Sequence, residues 1–211
     1  MSIVINAGTK RGMSAFQARI NQAAMRLFTE KGSAQVSISE LAQAAGVARG
    51  TIYNNCAEPG QLFEEIVAEL ATDMHERVAR AGENIADPAQ ALADGIRHFV
   101  RRAHEEPDWG RFILRFAFTD GAMRTMWETQ PSIDLMKGLK AGRFRFEAGQ
   151  AASILAMIGA TGVSAMMLVL EGHKAWREAG SNAAELVLRA LGLDPDEARA
   201  IAEQELPPLP V

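Results

Sequence analysis

Arg49, Thr51, Asn54 and Asn55 fall within one seven-residue stretch, and each carries a group that recognises a base edge. An Arg guanidinium matches the two acceptors of guanine, an Asn amide pairs with adenine, and a Thr methyl can touch thymine. Such a set works only if a rigid helix carries it outward into a groove. The residues around it supply that helix and its partner. Ser37 and Glu40 stand three apart, the spacing of a capping box that opens a first helix. Ile38, Leu41, Ala42 and Ala45 then share one face. Gly46 sits where the helix must stop in a left-handed conformation, and Val47 is the apolar pivot after it. From Ala48 a second helix turns Ile52 and Cys56 inward and leaves the polar set outward. Two short helices joined by a tight turn over 37–56 make a helix-turn-helix, which points to a DNA-binding regulator.

Bulk properties agree with that reading once they are divided by position. The chain has 211 residues, 48% of them apolar and 23% charged, an ordinary globular balance. Its net charge of −4 is unevenly spread: residues 1–60 hold six basic against three acidic side chains, which leaves −7 on the remainder. A basic end that meets phosphates on an acidic body fits such a split. Cys56 is the only cysteine, so a disulfide within the chain and a four-cysteine metal site are excluded, and a reducing cytoplasm is the expected setting. The first residues lack the charged start and apolar core of a secretory signal. Ala151 to Leu170 carries no charge over 20 residues, long enough to span a bilayer. Its glycines, alanines and hydroxyl residues, and the charged helical segments after it, favour a helix buried by its own protein. No membrane partner is expected.

The periodicity predicts an all-α chain. Residues 1–13 read as a flexible arm with Lys10 and Arg11. A helix runs from Ser14 through Phe16, Ile20, Ala23, Ala24, Leu27 and Phe28, ending at Gly32. Pro59 opens a helix that runs to about Gly82 and is long enough to join the front end to the rest of the chain. Asp87-Pro88 caps the next, with a break near Pro107 and helical patterns over 108–118 and 120–137, the latter interrupted near Pro131. A loop at Gly138–Gly142 precedes a long helix from about Glu147 to Lys174. A helix over Asn182–Leu191, a short one after Asp194 and an extended tail complete the chain. The expected organisation is a helix-turn-helix domain over 14–60, a connecting helix over 61–82, and a helical-bundle domain over 83–211.

In order and spacing, the pieces over residues 19–63 resemble the tetracycline-repressor (TetR) family of transcriptional regulators: Leu-Phe-Thr-Glu-Lys-Gly, Ile-Ser-Glu-Leu-Ala, Ala-Gly-Val-Ala-Arg-Gly-Thr-Ile-Tyr and Gln-Leu-Phe. The resemblance implies a homodimer whose second motif helices enter successive major grooves of a palindromic double-stranded operator. It also implies a C-terminal domain that binds a small molecule and dimerises through its last two long helices. Effector binding would shift the fourth helix and the spacing of the reading heads, which must stay about 34–36 Å apart to meet grooves one turn apart. Three positions depart from the family's pattern. Ser33 replaces a frequent aromatic, Cys56 a phenylalanine, and Pro59-Gly60 a frequent phosphate-contacting lysine. Losing that lysine removes one neutralised phosphate and lowers affinity and its salt dependence, so DNA binding either leans harder on Lys10 and Arg11 or is weak.

Candidate DNA contacts are therefore Lys10, Arg11, Ser37, Arg49, Gly50, Thr51, Tyr53, Asn54 and Asn55. Tyr53 matches the family's phosphate-contacting tyrosine, with a buried ring as the rival; Asn54 and Asn55 either read adenine or end the helix. Trp109, Phe112, Phe116, Met123, Met126, Trp127, Met157 and Met166 are candidate pocket linings, with plain core packing as the rival for any one of them. Gly159, Gly162, Ala165, Leu186 and Leu191 are candidates for a dimer seam. The four histidines show no zinc-protease spacing, and no phosphate-cradling loop or nucleophile elbow occurs. Neither an enzyme, a cofactor nor a metal is expected. The alternative is a helical dimeric adaptor or ligand-binding protein with a degenerate reading head.

Overall fold

A computed structural model describes residues 15–32, 36–55, 59–119 and 121–209. Ten α-helices and no strand occur among them: α1 Ala15–Lys31, α2 Ile38–Ala45, α3 Arg49–Asn55, α4 Pro59–Gly82, α5 Pro88–Glu105, α6 Pro107–Phe116, α7 Gly121–Lys140, α8 Ala151–Leu170, α9 Trp176–Ala190 and α10 Pro195–Ala202. The fold is all-α, as the periodicity predicts.

The first three helices form a small head around Ile20, Ala24, Phe28, Leu41 and Ile52, each no more than 1% exposed. Helix α4 serves two cores. Leu62, Phe63, Ile66 and Val67 pack toward the head, while Met74 and Val78 are buried further along, where α4 meets α5 and α7. At the centre of the body lies α5, contacted by α4, α6, α7, α8, α9 and α10. That position explains a feature its apolar stripe did not predict: Asp94, Arg97, His98 and Arg102 are all buried on it. Arg97 is paired with Asp94 at 3.1 Å and donates to the Gln204 carbonyl at 2.6 Å, fastening the chain after α10 to the body.

Several boundaries differ from expectation. Pro131 does not interrupt α7, which runs through it, and the predicted loop at 138–142 begins late. Gly138 is helical because the Phe144 ring lies against it, where an added Cβ would come within 2.0 Å of Cδ2. The chain turns instead at Gly142 (φ +68°), and Arg143 then clasps Asp87 at 2.8 Å and Glu197 at 2.8 Å. Helix α8 is shorter than predicted at both ends; its start is preceded by a 3-10 turn, and Gly172 (φ +76°) allows the chain to leave it. Helix α9 begins six residues early, because Gly180 is a buried position inside it and not a break.

Candidate functional site

The turn between α2 and α3 is fixed from three directions. Ser37 Oγ accepts from the Glu40 N–H at 3.3 Å while Glu40 takes the Ser37 N–H at 3.0 Å, closing the capping box. Glu40 also pairs with Lys31 of α1, and Lys31, then the Ser37 amide, hold its carboxyl down to about 2. At the other end Gly46 adopts φ +64°, ψ 42°, and the Val47 N–H reaches back to Ala42 O at 2.9 Å. Arg19 of α1 donates to the Ala45 carbonyl at 2.8 Å, placing a cation at the C-terminus of α2. The turn therefore holds α3 at one angle to the head.

On α3, Ile52 is 1% exposed and anchors the helix, whereas Arg49, Gly50, Tyr53 and Asn54 face outward and Thr51 is half-buried. Tyr53 is 61% exposed, which rules out the buried-ring alternative. Among the described basic residues of the head, Arg19, Arg26 and Lys31 are engaged within the chain, and Arg49 has no ion-pair or hydrogen-bond partner. Ser37 is exposed and already serves as the cap. Lys10, Arg11, Ser33 and Cys56 lie outside the described residues, as does the Asn55 side chain.

The head meets the body through an aromatic cluster. Phe28 stands edge-on to Phe63 at 5.3 Å, and Phe63 meets Phe116 at 4.9 Å and Phe112 at 5.7 Å. Arg26 of α1 is paired with Asp108 of α6 at 2.5 Å, and Asn21 donates to Glu69 of α4 at 2.7 Å. Trp109 is buried beneath Arg102, whose guanidinium lies 4.7 Å from the ring centroid and also pairs with Asp73 of α4 at 2.7 Å. Phe112, Phe116 and Trp109 are thus packing groups at the junction. This is the core-packing alternative given for each of them: large rings adjacent to one another on α6 bury most surface where three helices converge. Met166 is fully buried in the core and Met157 half-buried, and neither is among the residues lining the cavity and cleft described below. The side chains of Met123, Met126 and Trp127 lie outside the described residues.

A cavity of about 40 Å³ lies between α4, α5, α7 and α8. Val78, Leu92, Ile96, Phe99 and Ile158 give it apolar walls, and Gly95 and Gly162 leave room in them. Its polar groups are His75, Gln130 and Asp134. Asp134 is only 5% exposed; Gln130 donates to both its oxygens, at 3.1 and 3.2 Å, and burial raises its pKa above the usual carboxylate range. Val78, Gln130 and Asp134 also border an outer cleft of about 520 Å³. Periodicity contained a signal for Asp134: it falls with Pro131, Leu135 and Gly138 on the inward face of α7, at helical spacing. His75 and Gln130 left no such trace. No group of three or more metal-ligating side chains occurs among the described residues.

The expected dimer seam also needs correction. Gly159, Gly162 and Ala165 face the chain's own core, and Leu191 is fully buried. Helix α8 leaves open the opposite face, with Ala152, Ala156, Ala160, Ser164 and Met167 exposed, and on α9 Leu186 is 58% exposed. Length and composition alone would let α8 cross a membrane, but its inward face packs against α5, α6, α7 and α9.

Comparison with known proteins agrees with both halves of this architecture. Residues 20–66 match the family described as bacterial regulatory proteins, tetR family, and residues 87–204 match the tetracyclin repressor-like C-terminal domain. The transcriptional regulator AcrR of Shigella flexneri is 40% identical over 111 residues, covering 52% of this chain and 51% of its own length. An uncharacterised regulator of Mycobacterium tuberculosis, Rv1255c, is 30% identical over 148 residues, 67% of this chain and 62% of its own. The matched stretches thus span less than two thirds of these curated relatives. The crystal structure of RolR without ligand is 26% identical, with a TM-score of 0.69 over 92% of this chain and 100% of that one; RolR has also been solved in complex with resorcinol.

Proposed function

The chain belongs to the tetracycline-repressor family of DNA-binding transcriptional regulators, and from that premise we propose that it is a cytoplasmic homodimeric repressor, released from a palindromic operator by a small, largely apolar effector. The observation that carries the proposal is the exposed face of α3. Arg49, Tyr53 and Asn54 project from a helix locked by a capped turn, and Arg49 has no partner among the described residues. Arg49, with Thr51, Asn54 and Asn55, is assigned to base edges, and Gly50 to close approach of the backbone. Tyr53, the α2 N-terminus at Ser37, and Lys10 and Arg11 of the arm are assigned to phosphates.

The other parts of the proposal rest on the division of the chain into a reading head over 14–60, the connecting helix over 61–82 and an effector-binding body over 83–211. The apolar face that α8 and α9 leave open supports pairing of two copies there. RolR, related over nearly its whole length, binds the small ring compound resorcinol, which supports an effector of similar size. Because α4 borders the cavity at His75 and Val78 and the head core at Leu62 and Phe63, a wedge at one end tilts the other.

A mobility-shift experiment with the DNA flanking the chain's own gene tests the reading. The expected result is a discrete complex that survives an excess of unrelated duplex. A folded protein without sequence preference at low salt would leave the adaptor reading in its place.

A further inference from the structure

We propose that the cavity between α4, α5, α7 and α8 recognises a neutral hydroxyl on a ring-sized apolar molecule, with the Asp134 carboxyl as the acceptor. The inference rests on the effector-binding reading of the body and adds the chemistry by which the effector is chosen. Asp134 is buried, at 5% exposure, yet its only hydrogen-bond partner among the described residues is Gln130. One amide nitrogen serves both oxygens, although a carboxylate offers about four acceptor positions. Each oxygen therefore keeps acceptor positions beyond that one donor, and a ligand hydroxyl in the cavity can donate to one of them. Gln130 keeps the carboxyl oriented, and His75 lines the same cavity.

The walls and the charge narrow the class further. A ligand carboxylate would bring a second anion to Asp134 in a site where two adjacent carboxylates cannot both ionise. An ammonium would have to shed its water into walls made of Val78, Leu92, Ile96, Phe99 and Ile158, with a single acidic group to receive it. Burial lifts the Asp134 pKa, which weakens it further as a counter-ion. A neutral hydroxyl carries neither penalty. Gly162 adds room for a flat body, since a Cβ there would meet nothing within 4 Å.

Size links recognition to response. The cavity holds about 40 Å³, whereas a closed engineered cavity that accepts benzene measures about 150 Å³. A ring therefore enters past Val78, Gln130 and Asp134 from the outer cleft and must spread α4 from α7. Helix α7 is the wall that yields, because Pro131 lacks the N–H that would close the helical ladder beside the cavity.

Calorimetric titration of the full chain with phenol, toluene, benzylamine and benzoate tests the proposal, because the four share one ring. Phenol is expected to bind at least tenfold more tightly than each of the others. Asp134→Leu should reduce phenol to the affinity of toluene, Asp134→Asn should shrink the difference at least threefold, and Gly162→Leu should abolish binding of both. Failure of phenol to bind, equal binding of any of the other three, or an unchanged phenol preference in both Asp134 variants would overturn it. The same preparations are assayed for specific DNA binding. Specific binding without phenol discrimination removes this inference alone, whereas discrimination without specific binding removes the repressor reading and leaves the cavity's chemistry intact.

Discussion

Arg49 and His98 are both basic side chains on helices, but their surroundings assign them opposite work. Arg49 is exposed and unpaired among the described residues, so replacing it leaves the fold intact. Arg49→Ala is expected to weaken operator binding about 10- to 100-fold, the loss of one good bidentate base contact, with an unchanged melting temperature. Fluorescence anisotropy on a labelled operator checks this, and the type and spacing of the residues already pointed to it. His98 is 2% exposed, and neither ring nitrogen has a partner among the described residues. Burial, then the nearby Arg101 and Arg97, push its pKa down to about 4 from 6.5. Between those values the unfolded chain binds a proton that the folded one refuses, so stability falls as pH drops from 6.5 toward 4. His98→Leu should remove up to about 3 kcal/mol of that dependence. It should also stabilise the protein by about 1 kcal/mol at pH 7, because two unsatisfied polar atoms leave the core. Urea unfolding of both proteins at pH 7.5 and 4.5 measures the difference. Nothing in the spacing of α5 distinguished His98 from its apolar neighbours; only the helices packed around it do.

At the scale of elements, the signals that survived were local ones. The capping box at Ser37, the stop at Gly46, the proline after Asp87 and the cap at Asp194 each act within a turn of helix, and all four lie where the residues predicted. The misplaced boundaries depended on distant packing: Gly138 is held helical by Phe144, and Gly180 is buried inside α9. Gly46 gives the sharpest test. At φ +64° an added Cβ is strained, and it would lie 3.2 Å from Nη2 of Arg19, which itself holds the end of α2. Gly46→Ala is expected to cost about 1–2 kcal/mol of stability and to weaken operator binding as the angle of α3 changes. Thermal melting and anisotropy together check it. Gly50→Ala, whose Cβ meets nothing within 4 Å, should melt like the parent.

Across the whole molecule, the cavity and the open face of α8 were hidden from the sequence for the same reason. The cavity is assembled from residues between His75 and Gly162, on four helices that only the tertiary fold brings together. Likewise the uncharged run of α8 showed that it is apolar all round but not which side its own chain would cover. The buried side proved to hold Gly159, Gly162 and Ala165, and the open side Ala156 and Ala160. If two copies join there, Ala160→Arg combined with Leu186→Glu should yield a monomer in sedimentation, with its helical content retained. That monomer should lose operator binding by more than either half-site contact alone explains, since two linked heads bind far more tightly than one. A variant that stays dimeric would place the seam elsewhere.

The most direct measurement of the whole scheme is selection of bound sites from a pool of randomised duplexes by the purified full-length chain. Two copies of the α3 face related by a two-fold axis should enrich an inverted repeat, with half-site centres about 10–10.5 base pairs or a multiple apart, and Arg49→Ala should relax the choice of base at one matched pair of positions. A pool that emerges unchanged from a folded protein, or one that converges on a sequence without two-fold symmetry, would contradict it.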